Sequence, residues 1–208
     1  MSTDIHGGIE FHHPGVDTDY YDGEPWVLAM NLWPLYDRTD HDAFGCLFGV
    51  RNDAGFRPLA ADRGLPPDLS SGLRPWMQPA VDAGDYHGAT WVGWAEIARL
   101  DPAATPVHHT GRLTWSSASS PPSPHRQRLV PDQWPPDVLD AVGPPPVDLD
   151  RSAHPTEWTS GDLRCRYEPL TAAHLLGSTS HWPHVFAVMQ ALAGRFGEDG
   201  VRLVAAFD

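Results

Sequence analysis

Two acid–imidazole pairs of equal spacing, Asp4-Ile5-His6 and Asp85-Tyr86-His87, are the residues of this chain whose types and separation can do chemistry. Alternate side chains of a strand share a face, so each pair would deliver a carboxylate and an imidazole side by side. Asp4, His6, His87 and Asp208, with Asp85 in reserve, form a set of mixed oxygen and imidazole donors suited to Zn, Mn or Fe(II). Three such ligands leave a position for an activated water. Without a metal, Asp4, His6 and His87 are acid/base groups in their own right. The spacing is a loose one in a chain with 12 His, and the stricter His-Glu-x-x-His pattern is absent. A second account therefore stays open, in which Asp4 caps or pairs with an arginine and His6 is a hydrogen-bonded histidine near a sheet edge.

A cationic group follows apolar segments or opens a rigid loop: Arg51 with Asn52, and Arg63. The planar guanidinium matches carboxylate or phosphate, so these residues, with Trp91 beside them, are the candidate holders of an anionic substrate. Pairing with some of the 27 acidic residues is the competing fate. Cys46 lies in the apolar run Phe44 to Phe48 and reads as core, and Cys165 stands between Arg164 and Arg166. On a strand those arginines would point away from the thiol. Further donors are His12-His13, His108-His109, and His181 with His184. Of nine Trp, we expect Trp26, Trp33, Trp91 and Trp94 in the core, and Trp76, Trp115, Trp134 and Trp158 at a pocket or partner surface.

With 208 residues the chain can bury roughly 70% of the surface its unfolded form exposes, so no disulfide or structural metal is needed for folding. The net charge of -13 argues against a nucleic-acid partner, because phosphate binding needs a concentrated basic surface. A basic protein partner is compatible with it. All 14 basic residues are Arg, and the absence of Lys excludes a Schiff-base lysine and a Walker-type phosphate loop. No basic, apolar leader opens the sequence and no apolar run is long enough for a membrane span. The expectation is a cytoplasmic protein.

The elements that must position these residues are a first strand from about Asp4 to Phe11, a second over Pro25 to Trp33, and a last one over Val201 to Asp208. Asp42 to Val50 is a helix or a strand. Thr90 to Leu100 reads as a helix, with Trp94, Ile97 and Leu100 on one face. Asp162 to Tyr167 alternates as a strand, and Pro183 to Gly197 is the clearest helix. Between them, from about 101 to 154, prolines and the Ser116 to Ser123 stretch predict an irregular insertion, with one strand at Gly111 to Trp115 and one short helix at Pro136 to Val142. We expect a single α+β domain with a mainly antiparallel sheet, the first and last strands adjacent, and the late helix packed on one face.

Asp4-Ile5-His6, the run Phe44 to Asn52 (F-G-C-L-F-G-V-R-N), Arg63-Gly64-Leu65-Pro66 with Ser70, and the closing V-R-L-V-A-A-F-D resemble a group of uncharacterised actinobacterial and bacteriophage proteins. Those proteins open Met-Gly-Cys-Asp-Ile-His and close on a V-R-x-V-x-x-F-D strand. The likeness spans roughly the first 100 and last 30 residues and implies a shared architecture. Ser2-Thr3 stands where Gly-Cys is usual, so no cysteine is offered there.

Two functions fit these observations. One is a small hydrolytic or tailoring enzyme acting on a small, anionic molecule at the Asp4/His6 end of the sheet, with or without a divalent metal. The other is a non-catalytic, immunity- or inhibitor-type protein whose acidic tract, Asp17 to Glu24, meets a basic protein.

Overall fold

The computed structural model describes residues 3–108, 111–117, 125–129 (backbone), 134–146, 149 and 155–208. His109 and the Ala118 to Ser123 stretch, and with them any lid built there, lie outside the described residues. In chain order the elements are β1 (Ile5–His12), β2 (Trp26–Asn31), α1 (His41–Phe48), α2 (Arg74–Ala83), β3 (His87–Gly93), α3 (Trp94–Ile97), β4 (Gly111–Ser117), β5 (His125–Leu129), α4 (Pro136–Val142), β6 (Thr156–Ser160), β7 (Leu163–Pro169), α5 (Ala172–Leu176), α6 (Trp182–Phe196) and β8 (Val201–Phe207). They form an α+β fold with two antiparallel sheets, divided into two compact units: residues 1–102 with 173–208, and residues 103–172.

The first unit is built on a sheet of order β2-β1-β8-β3, so the first and last strands are neighbours at its centre, as their patterns predict. Every residue of β8 is buried, which explains why V-R-L-V-A-A-F lacks a polar face. Leu73, at the N-cap of α2, and Met77 within it pack on one side, where Val204 and Ala206 project. On the other side Phe44 and Phe48 of α1 meet Phe207, and Phe196 of α6 stacks on Phe11. Asp42 to Val50 resolves as a helix because Asp40 caps it, accepting the Ala43 N–H at 3.1 Å, and Gly49 ends it in a left-handed turn.

Residues 90 to 100 depart from expectation. Thr90 to Gly93 belong to strand β3, and only one helical turn, α3, follows. The same Trp and Val residues satisfy either period, and pairing with β8 decides between them. The Thr90 hydroxyl is buried and donates to the Ala60 carbonyl at 2.6 Å.

Glu10 and Arg202 face each other across β1 and β8. Both side chains are buried, at 0% and 4% exposure, with Arg202 Nε donating to Glu10 Oε2 at 2.7 Å. The other Glu10 oxygen accepts the Ser70 N–H at 2.9 Å. Arg202 also donates to the Asp68 carboxylate and carbonyl and lies 3.9 Å from the centre of the Trp26 ring. This network gives β1 and β8 one satisfied register, since a one-residue slip would carry either charge to the opposite, apolar face.

In the second unit the sheet runs β5-β4-β7-β6. The strand and the short helix expected inside the Pro-rich stretch are present as β4 and α4, and β5 makes that stretch more regular than its composition predicts. Leu113, Cys165 and Tyr167 pack with Trp134, Val138 and Val142 on one sheet face. Trp134, expected at a surface, is part of this core. On the opposite face Glu168 accepts from Arg112 and Arg166, and Arg166 reaches Glu157.

Candidate functional site

At the end of the first unit's sheet, the backbone of Asp208 closes on Asp4, with its N–H donating to the Asp4 carbonyl at 3.3 Å. This fixes the Asp208 carboxylate over the start of β1. Its Oδ1 accepts the Asp4 N–H at 2.8 Å, and its Oδ2 lies 3.2 Å from His6 Nε2. The Asp4 N–H, and after it His6, hold the Asp208 carboxyl below the usual carboxylate range against the opposing effect of desolvation. The carboxylate is thus an acceptor that orients the imidazole, whose plane is fixed a second time by Tyr86, stacked at 4.5 Å and 9°. Asp4 points elsewhere: its Oδ1 accepts the Thr39 hydroxyl at 2.6 Å.

His6 and Asp4 open on a cleft of about 490 Å³. Asn31, Tyr36, Asp37 and Arg38 line it together with the indoles of Trp33 and Trp76. Trp33, expected in the core, is 77% exposed, while Trp76 on α2 is 37% exposed with its ring anchored by Nε1–H donation to the Gly72 carbonyl. Burial, then the charge of Asp40, pushes the Tyr36 hydroxyl up, which keeps it a neutral phenol rather than a nucleophile. Gly7 is required beside His6, because a Cβ there would come 1.9 Å from the Val204 carbonyl oxygen.

The other expected site residues are placed elsewhere. His87 pairs with Phe207, and His6 with Ala206, so the two histidines leave opposite faces of the sheet. Asp85 is exposed and joins neither. The ligand set Asp4, His6, His87 and Asp208 is therefore not brought together, and among the described residues no group of three or more His, Cys, Asp or Glu is arranged to hold a metal ion. His181 meets Asp37 at 3.2 Å and its ring lies 6.0 Å from that of His184.

Arg51, Asn52, Arg63 and Trp91 do not line the cleft. Arg51 Nε donates to the buried Thr3 hydroxyl at 3.2 Å. Asn52 closes a turn on Phe56, donating to its carbonyl at 2.6 Å and accepting its N–H at 2.9 Å. Arg63 is held by both oxygens of Glu96, at 2.9 and 2.6 Å, above the Trp91 ring. These are structural contacts, so the anion-holding role assigned to them from sequence does not follow from their placement.

The residues that sequence reasoning missed are Tyr86, Trp33 and Arg38. Tyr86 stands one position from the expected His87, and the irregularity between His87 and Thr90 sets which side chain reaches His6. Arg38 carries no local signal.

Comparison with known proteins gives no family: no family model, no curated protein and no solved structure matches the chain. No described helix is long and apolar enough to cross a membrane.

Proposed function

We propose that this protein is an enzyme acting on a small molecule held in the cleft, with His6 as its general base and Asp208 as the group that positions it. The observation that carries this reading is the His6 Nε2–Asp208 Oδ2 pair, 3.2 Å apart, at the wall of an aromatic-lined cleft. A carboxylate bonded to one ring nitrogen fixes the tautomer, and the second nitrogen can then take a proton from a water or a substrate hydroxyl. Hydrolysis of an ester or amide is the simplest reaction of that kind. In it the water's proton passes to His6, the hydroxyl adds to the carbonyl carbon, and the proton returns to the leaving group.

The test is a panel of chromogenic esters and amides assayed with the native protein, His6→Gln and Asp208→Asn. General-base catalysis contributes typically 10²–10⁴-fold, so His6→Gln should lose about that factor and Asp208→Asn a smaller part of it. Turnover unchanged in His6→Gln, or none on any panel member, counts against the proposal.

A second reading, a binding protein for a basic partner, is favoured by one observation. Tyr20 is 98% exposed within the β1–β2 loop, beside the exposed Asp17, Asp19 and Asp22. Glu24 in the same tract is committed to Ser71, whose N–H and hydroxyl it accepts. Salt-sensitive capture of a basic protein that fails on Tyr20→Ala with Asp19→Asn would select this reading.

A further inference from the structure

We infer that the cleft takes a flat, apolar molecule carrying a single carboxylate, with Arg38 as the group that binds the carboxylate. The inference rests on the cleft being the substrate site and adds the class of substrate. Among the described residues Arg38 is the one arginine lining the cleft, and it is exposed. Unlike Arg51, Arg63 and Arg202, it makes no hydrogen bond or ion pair among the described residues. Its guanidinium is free to meet a planar anion through two parallel N–H donations.

The neighbouring acids restrict that anion's charge. Asp4 and Asp37 line the same cleft, and Asp208 lies behind His6. Acidic side chains in and beside the cleft oppose a dianion more than a monoanion, which favours a carboxylate over a phosphate. The body of the ligand follows from the indoles. Trp33 leaves most of its surface in water, and Trp76 turns a fixed ring to the same space. Exposed indoles lining one cleft are sites for a planar apolar group, which gains area burial and stacking there.

The experiment measures binding of phenylacetate, phenylacetamide and phenyl phosphate by calorimetry, to the native protein and to Arg38→Met, Trp33→Ala, Trp76→Ala and His6→Gln. Phenylacetate should bind about tenfold or more tighter than the neutral amide, as one charge-assisted pair provides, and tighter than the phosphate. Arg38→Met should abolish the preference for the acid while leaving amide binding in place, and each Trp variant should weaken acid and amide alike. Equal binding of acid and amide, a preference that survives Arg38→Met, tighter binding of the phosphate, or binding of no probe overturns the inference. His6→Gln separates it from the catalytic proposal. Retained binding by a variant of an inactive protein sinks only the catalysis, whereas His6-dependent turnover confined to neutral substrates sinks only the carboxylate class.

Discussion

Arg202→Met should be among the most destabilising single substitutions in the first unit, and more so than Glu10→Gln, although the two residues form one ion pair. Removing the guanidinium leaves Glu10, at 0% exposure, with a single donor, the Ser70 N–H at 2.9 Å. Breaking a buried pair in this way costs about 3–5 kcal/mol. Loss of the contact with the Trp26 ring adds about 1–2 kcal/mol. Asp68, 43% exposed, is re-solvated and contributes little. The expected loss is about 4–7 kcal/mol, a large part of the 5–15 kcal/mol typical of a domain. Glu10→Gln keeps an acceptor for one of the two donors and faces the other with an amide N–H, but it leaves no buried charge without a partner, because Arg202 stays paired with Asp68, so it should cost less, about 1–3 kcal/mol. The double variant Glu10→Leu/Arg202→Met should recover most of the loss, because no charge then remains unpaired in the sheet. Urea unfolding of the four proteins at pH 7 gives these differences directly. A loss below about 1 kcal/mol in Arg202→Met, or a larger one in Glu10→Gln, would refute the reasoning.

Further expectations concern single residues. Gly7→Ala should lower stability by more than about 3 kcal/mol or prevent folding, read by thermal denaturation, because its Cβ would meet the Val204 carbonyl. The depressed pKa of Asp208 is a contribution to stability that is full above the ordinary Asp value of about 3.9 and is lost as pH falls through the folded value. Asp208→Asn should therefore flatten the acid side of a plot of urea midpoint against pH, and an unchanged slope would contradict the Asp4–Asp208 contact. Arg63→Ala should cost about 1 kcal/mol through loss of Glu96 and leave ligand binding in the cleft unaltered by calorimetry. Cys46 and Cys165 are both buried, with burial pushing Cys46 up to about 12, so a thiol reagent at pH 8 should modify neither until urea is added.

The centre of the first unit was legible because its strands carry the period of their environment. Ile5 to Phe11 and Val201 to Phe207 are apolar enough to be paired and buried, and their adjacency puts Asp208 beside His6 as expected. His87 was misplaced because a strand argument assumes unbroken alternation, and one irregularity between His87 and Thr90 exchanges it for Tyr86. The arginines show a different limit. Arg51 and Arg63 stand in suggestive local settings, but Thr3 and Glu96, which occupy them, are separated from them by 48 and 33 residues. What distinguishes Arg38 is the absence of such a partner among the described residues, a property of the folded chain alone. Trp33 follows a strand and so reads as core, yet it lies in the turn whose Leu32 carbonyl accepts from Leu35 and Tyr36, and its ring is left at the cleft.

The position of β8 has a consequence for how the protein is made. Its neighbours β1 and β3 leave the ribosome long before it does, and all of residues 103–172 are synthesised in between. The second unit is one continuous stretch and can close while the chain is still growing. The first cannot, since its central strand and the arginine that neutralises Glu10 are translated only after the whole second unit. At ordinary translation rates β1 and β3 wait on the order of ten seconds with open hydrogen-bonding edges. Slowing synthesis lengthens that interval, so yield of folded protein should depend on chaperone supply more than the stability of the finished sheet would imply.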